Sequence, residues 1–334
     1  MKKTRRFRPA PERRGGIVVK LSVILLTCDR ERFAARAIRC LLAQDFRDFE
    51  LIVVENGSRG GVPPSLSLLA AGEPRVRLFE RPRGTISAGR NFGLSQARGS
   101  FVTFFDDDDT AAPDYLSFLV NLAEETGADA AVCGSWREEN GKRLPNFAED
   151  RRLVLTPEEA VSELLLRRRC NAATPTKLFR RSLFGGIRFP EDRRVDDIFV
   201  TYKLLARARR TAFHLLPKYC FTRHGGNSSA FTTDDSLLTP EILREYGDAF
   251  RERTAWLSRR LPKIADLAQY AELSYQLSLF ARLTDHGPPA CEGERQRLGR
   301  ELAARRAWLA RCPYLQPFER ERLRLVPAGE GENA

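Results

Sequence analysis

From Lys20 onward, short β-branched apolar runs alternate with stretches whose apolar positions recur at helical spacing. "LSVILLT", "FELIVV", "VRLF" and "FVTFF" predict strands, and "RFAARAIRCLLAQ" and "SAGRNFGLSQA" predict helices. Strand and helix in alternation build a mostly parallel sheet with helices on both faces. Right-handed crossovers then align the strand C-terminal ends along one edge. Farther on, "PDYLSFLVNLAEE" predicts a helix with Pro113 near its first turn, where a missing N–H costs little. "ADAAVCGSW" predicts a buried strand, "TPEEAVSELLLRR" a helix, and "RRCNAATPTKLF" a polar loop. From about Thr239 the pattern becomes helical throughout, in "PEILREYGDAFRERTAWLSRRL" and "IADLAQYAELSYQLSLFARL", with breaks at Pro262 and at "HGPP", His286 to Pro289. The expected organisation is a basic arm over residues 1–19, an α/β domain over 20–235 and a helical subdomain over 236–334.

In open α/β sheets, ligands bind outside the carboxyl ends of the strands. The residues following three predicted strands are Cys28-Asp29-Arg30, Glu55-Asn56-Gly57-Ser58, and the four aspartates Asp106 to Asp109. Like charges about 4 Å apart repel by roughly 1 kcal/mol in water and roughly 4 kcal/mol at a protein surface. A run of four aspartates therefore calls for a compensating partner. Alternation along an extended segment puts Asp106 and Asp108 on one side and Asp107 and Asp109 on the other. Two hard oxygen ligands at a strand end suit magnesium or manganese, an ion that also holds phosphate. The competing reading has one aspartate capping the next helix and the others solvated.

Charge and composition narrow the function classes. The 334 residues are 42% hydrophobic, enough to bury a sizeable core. Seven of the twelve net positive charges fall within Met1 to Lys20, where eight basic side chains oppose Glu12 alone. That arm reads as a solvated tail, or as a contact for an anionic membrane surface or an acidic partner. Basic residues interleaved with stacking aromatics are missing, which argues against nucleic acid. No apolar run reaches a membrane span and no signal-peptide core follows the basic start, so the expected location is cytoplasmic, with peripheral membrane contact left open. The seven cysteines are widely spaced without a CxxC pair and read as reduced thiols.

"LSVILLTCDR", "FELIVVENGS", "GTISAGRNFGLSQARGSFVTFFDDDD" and "VDDIFVTYKLL", in that order and spacing, resemble family-two glycosyltransferases, inverting nucleotide-sugar enzymes with a GT-A fold. The likeness covers about Lys20 to Phe231. It implies that Thr27, Glu55 and Asn56 line the nucleobase pocket, with Asp29 and Asp107 also on the donor side. Arg90 is implied near the donor, Asp106 near the ribose and Asp108 on the metal bridging the diphosphate. His224, in "TRHGGNSS", resembles a late histidine that completes the metal shell, and Asp197, in "VDDI", resembles the catalytic base. Two departures stand out. The usual pair of aspartates after the second strand is Glu55-Asn56, so UDP is favoured while thymine and guanine nucleotides stay open, and the usual Tyr-Asn after the first strand is Cys28-Asp29.

An inverting transfer needs one carboxylate to take the acceptor proton while the leaving diphosphate is neutralised on the other side of the anomeric carbon. Asp197 opens a helical run, "DDIFVTYKLLARA", and a helix N-terminus favours an ionised carboxylate. The bland alternative is that Asp196 or Asp197 only caps that helix. Trp136 is either an acceptor-stacking surface or a half-buried core residue, and His214 and His286 receive no role. Nucleotidyl transfer to a sugar phosphate would want a glycine-rich phosphate loop after the first strand, and "TCDRERFAA" has no glycine. A non-catalytic scaffold would predict loss of Asp108 or Asp197, and both are present. The expected partners are a nucleotide-sugar donor, an unidentified acceptor and, through the C-terminal helices, a second copy of the chain. The missing "QxxRW" disfavours a processive synthase.

Overall fold

The computed structural model describes residues 19–225, 227, 230–232 and 234–327, so the basic arm lies almost wholly outside the described residues. The predicted alternation opens the fold: β1 (Leu21–Thr27), α1 (Glu31–Leu42), β2 (Phe49–Glu55), α2 (Pro64–Gly72), β3 (Val76–Glu80), α3 (Ile86–Gln96) and β4 (Phe101–Asp106). These four strands pair in parallel in the order β3-β2-β1-β4. The register sets Thr27 beside Glu55 and Leu26 beside Asp106, so three polar strand ends meet at one edge.

The second half is β5 (Thr110–Ala111), α4 (Tyr115–Thr126), β6 (Ala130–Glu139), β7 (Lys142–Phe147), β8 (Glu149–Leu155), α5 (Pro157–Leu165), β9 (Lys177–Arg180), α6 (Asp197–Arg207) and β10 (Thr211–Thr222). Together they complete a ten-stranded sheet in the order β3-β2-β1-β4-β9-β6-β10-β5, with β7 on β6 and β8 on β10. The expected polar loop at 168–179 is corrected here: it runs into β9, antiparallel to both β4 and β6 in the middle of the sheet. Lys177 is fully buried, with Nζ donating to the Ala173 carbonyl at 2.6 Å and the Thr176 hydroxyl at 3.1 Å. Pro113 lies just before α4, which starts at Tyr115.

The tail folds as α7 (Pro240–Arg260), α8 (Ala265–His286), α9 (Glu292–Ala303), α10 (Arg306–Arg311) and α11 (Pro317–Leu323), with Pro262 and the Gly287–Pro289 segment between helices as expected. Thr239 caps α7 by accepting from the Ile242 N–H. One core lies between the sheet and α1, α2 and α4, around Ile38, Leu66 and Leu119. The core on the other face joins Ile24 and Phe104 to Leu94, Val161 and Val200 and runs on without a break into Leu257, Leu277, Leu302 and Leu309 of the tail.

Candidate active site

Chain reversal after β4 decides where the four aspartates go. The Asp109 N–H donates to the Asp106 carbonyl at 3.3 Å, so the chain turns instead of staying extended, and the expected two-by-two alternation is not observed. Asp107 and Asp108 face Arg30, whose Nη1 lies 3.2 Å from Asp107 Oδ1 and 2.9 Å from Asp108 Oδ2. Asp108 Oδ2 is also 2.9 Å from His224 Nε2 and 3.1 Å from Asn227 Nδ2. The His224 ring stacks on Phe33, with centroids 5.0 Å apart. Asp109 turns into the protein, accepting from the Tyr219 hydroxyl at 2.7 Å and the Thr222 N–H at 2.8 Å. Burial pushes its carboxyl well above the usual range, with the Asp106 and Asp108 charges adding. Burial likewise pushes Asp107 up to about 6. Asp107 and Asp108 thus share Arg30, while Asp109 has the Tyr219 hydroxyl and the Thr222 N–H, and these donors offset the repulsion.

Arg90 supplies the donor for Asp106 and joins it to a distant segment. It lies on α3, whose N-terminus is capped by Thr85 and whose glycines let the helix lie close on β1: a Cβ at Gly93 would come within 2.5 Å of Ile24. The side chain is buried, with Nη2 3.2 Å from Asp106 Oδ1, and Nη1 donates to Asp196 Oδ2 at 2.6 Å and to Asp197 Oδ1. Asp196 is the N-cap of α6, accepting from the Asp197 N–H at 2.8 Å. The capping role therefore falls to Asp196, and Asp197 is the first residue of the helix. The Thr174 N–H and hydroxyl reach Asp197 at 3.3 and 3.1 Å. Burial opposes the charge on Arg90, but Asp196, Asp197 and Asp106 together raise its pKa. Burial, with the Asp197 charge adding and Arg90 opposing, pushes Asp196 up to about 7.

Thr27, Asp29, Glu55 and Asn56 also gather at this edge. Thr27 is buried at the end of β1 beside Asp107. Glu55 accepts from the Ser58 N–H and hydroxyl at 2.8 and 2.6 Å. The Asp29 N–H donates to Ser58 Oγ at 2.6 Å, and its carboxylate accepts from the Arg59 N–H and Arg83 Nη1, each at 2.9 Å. Asn56 Nδ2 donates to the Gly84 and Thr85 carbonyls at 3.0 and 3.2 Å, while Oδ1 accepts from Arg81. These groups knit two loops into one wall. Gly57 permits the contact, with φ +86° and Arg83 Cα only 2.2 Å from where a Cβ would sit.

All ten residues singled out from the sequence thus lie around one strand edge. Sequence reasoning missed Arg30, Thr174, Asn227 and Tyr219, and it placed Arg90 with the donor alone, whereas the structure ties it to Asp196 and Asp197. Arg30 and Asn227 stand beside motifs already noted; Thr174 and Tyr219 carry no local signal. Among the described residues no group of three or more histidine, cysteine or acidic side chains is arranged as a metal cage. Asp108 and His224, with an oxygen and a nitrogen 2.9 Å apart, are the pair that could hold a divalent cation, whose other positions would go to water and phosphate. Arg30 carries the positive charge beside that pair.

The family model described as "Glycosyl transferase family 2" matches residues 22–188, half of the 334-residue chain. A Campylobacter jejuni protein named GalNAc(5)-diNAcBac-PP-undecaprenol beta-1,3-glucosyltransferase is 30% identical over 175 residues, 52% of this chain and 55% of the relative. The chain therefore spans about half the length of that relative. Among solved structures, S. aureus TarS 1–349 in complex with UDP-GlcNAc superposes with a TM-score of 0.69 at 20% identity, covering 85% of this chain and 80% of TarS. The mannosyltransferase PcManGT from Pyrobaculum calidifontis, in complex with GDP-Man and Mn2+, gives a TM-score of 0.50 at 17% identity, covering 92% and 87%. The polar strand ends, the turn of aspartates and the matched half of the chain agree, and the protein belongs to glycosyl transferase family 2.

Proposed function

We propose that the chain moves a single sugar, with inversion at the anomeric carbon, from a nucleotide-diphosphate sugar to a hydroxyl on a glycan, lipid-linked glycan, small molecule or peptide. A UDP-sugar is the favoured donor. The observation that carries this reading is the Arg90 clamp, which sets Asp106 at the β4 end and Asp197 at the start of α6 on one guanidinium. One side chain thereby fixes a donor-side carboxylate relative to an acceptor-side one.

Asp197 takes the acceptor hydroxyl proton as the new carbon–oxygen bond forms and the bond to the diphosphate breaks. Arg90 and Thr174 orient that carboxylate, and the wall of Thr27, Asp29, Glu55, Asn56 and Asp107 holds the nucleoside. A manganese or magnesium ion on Asp108 and His224 would stabilise the charge on the departing diphosphate. The similarity to a relative named as a glucosyltransferase and to neighbours carrying UDP-GlcNAc or GDP-Man with Mn2+ supports the reading. Among the described residues no helix is long and apolar enough to cross a membrane. A cytoplasmic enzyme that touches an anionic membrane face through its basic arm, and pairs through its C-terminal helices, completes the proposal.

The test is calorimetric titration of the folded chain with UDP, GDP and dTDP, each with and without manganese. UDP is expected to bind, manganese to tighten it by about tenfold or more, and Asp108→Asn to remove the tightening. Folded protein that binds none of the three nucleotides would overturn the reading in favour of a scaffold.

A further inference from the structure

The segment that enters α6 is laid directly on α7. The Arg194 N–H donates to Glu245 Oε2 at 2.9 Å and Arg193 pairs with Asp248 at 3.2 Å, contacts that bracket Tyr246. Asp196 and Asp197 follow at once in the chain. Around Tyr246 lies an aromatic stack drawn wholly from residues beyond the matched family region. The Phe250 and Tyr275 rings are 4.1 Å apart and nearly parallel at 9°; Tyr246 lies 5.8 Å from Tyr275 at 20°, and Phe231 meets Tyr246 edge-on at 5.7 Å. Tyr246 and Tyr275 are only partly buried, and among the described residues neither hydroxyl has a hydrogen-bond partner. Tyrosines used purely as core would bury or pair those hydroxyls.

Charge at the same place is unbalanced. In the run Arg167 to Arg169, Arg168 pairs with Glu163 at 3.0 Å and Arg169 with Glu149 at 2.8 Å. Arg167 is exposed and has no acidic partner among the described residues; its guanidinium carbon sits 5.9 Å from the Tyr275 ring centre. Its backbone takes the left-handed region, φ +51°, which a bulky L residue rarely adopts. Burial above all, then the Asp197 and Asp196 charges, push the Tyr246 hydroxyl up to about 12, with Arg167 opposing. Base, platform and free cation therefore lie within electrostatic reach of one another.

We infer that Tyr246, Tyr275 and Arg167 form the acceptor subsite, built for a sugar that carries an anionic group such as a phosphate. This rests on the proposed function, because it assigns the acceptor side of the same centre. A pyranose lays its C–H face on the partly exposed edge of the tyrosine stack, the tyrosine hydroxyls bond its substituents, and the Arg167 fork takes the phosphate oxygens.

The probe is glucose 1-phosphate, titrated calorimetrically into the full chain saturated with UDP and manganese, beside methyl glucoside and inorganic phosphate. Glucose 1-phosphate is expected to bind about tenfold or more tighter than either fragment, since it engages both halves of the site. Arg167→Gln should bring it to the methyl glucoside level and Tyr246→Ala to the inorganic phosphate level, with circular dichroism and UDP affinity unchanged in both variants. Retained UDP binding without glucose 1-phosphate binding, or binding that both substitutions leave intact, overturns the subsite alone. Failure of the wild-type chain to bind UDP would overturn the proposed function and the subsite with it.

Discussion

At the residue scale, Arg90 concentrates the electrostatics of the site. A buried guanidinium is costly unless paired, and here one cation meets three carboxylates, Asp106, Asp196 and Asp197. Burial first, then the negative excess, favours a proton on the cluster, pushing Asp196 up to about 7 and Asp106 up to about 6. An unfolded aspartate titrates near about 4. Between about pH 4 and about pH 7 the folded state therefore binds more protons, and the stability that Asp196 contributes, complete below that window, is lost as pH rises through it. The melting temperature should fall between about pH 5 and about pH 7.5, and Asp196→Asn should flatten that slope, since asparagine also caps a helix. Thermal denaturation across that range checks it; an equal slope in the variant would mean that another group binds the proton.

At the element scale, α3 reaches the sheet through glycine. At Gly93 an added methyl meets Ile24 at 2.5 Å, inside the core. Alanine would gain up to about 1 kcal/mol of helix propensity. Overpacking costs about 1–3 kcal/mol and should win, because Ile24 is fully buried and hemmed in by the sheet. Gly93→Ala is thus expected to lower the denaturation midpoint in urea, and because α3 also carries Arg90, to weaken the alignment of Asp197. A higher midpoint would show that the helix shifts freely on β1.

The same scale explains what could be read in advance. Strands such as β1 and β2 are buried on both faces and show as unbroken apolar runs, and α7 and α8 have clear breaks at Pro262 and at Gly287–Pro289. β9 has four residues and starts on a lysine whose charge is met by the Ala173 carbonyl and the Thr176 hydroxyl, so it offered neither length nor polarity to recognise. β7 and the outer half of β8 are mostly exposed and polar, and β10 is interrupted by a register shift at Pro217. The same limit applies to the site. Residues at strand ends were legible because topology alone brings them to one edge, and Asp197 was implied by the resemblance of "VDDI" and supported by its place at a helix start. Thr174 and Tyr219 reach the site through tertiary packing that no local pattern records.

At the scale of the whole molecule, the site is a seam between two bodies of structure. The parallel strands deliver Thr27, Glu55 and the aspartate turn from one side. The segment around β9 and α6 delivers Thr174, Asp196 and Asp197 from the other, backed by α7 through Glu245 and Asp248. The tail helices share one continuous core with the sheet. The central claim is that Asp197 takes the acceptor proton while the strand-end residues hold the nucleotide. The most direct measurement compares Asp197→Asn with the wild-type chain in UDP affinity and in UDP release from UDP-glucose and UDP-N-acetylglucosamine with manganese. Unchanged UDP affinity, together with release slowed by roughly 10²–10⁴-fold, is the predicted result. Release at the wild-type rate would contradict it.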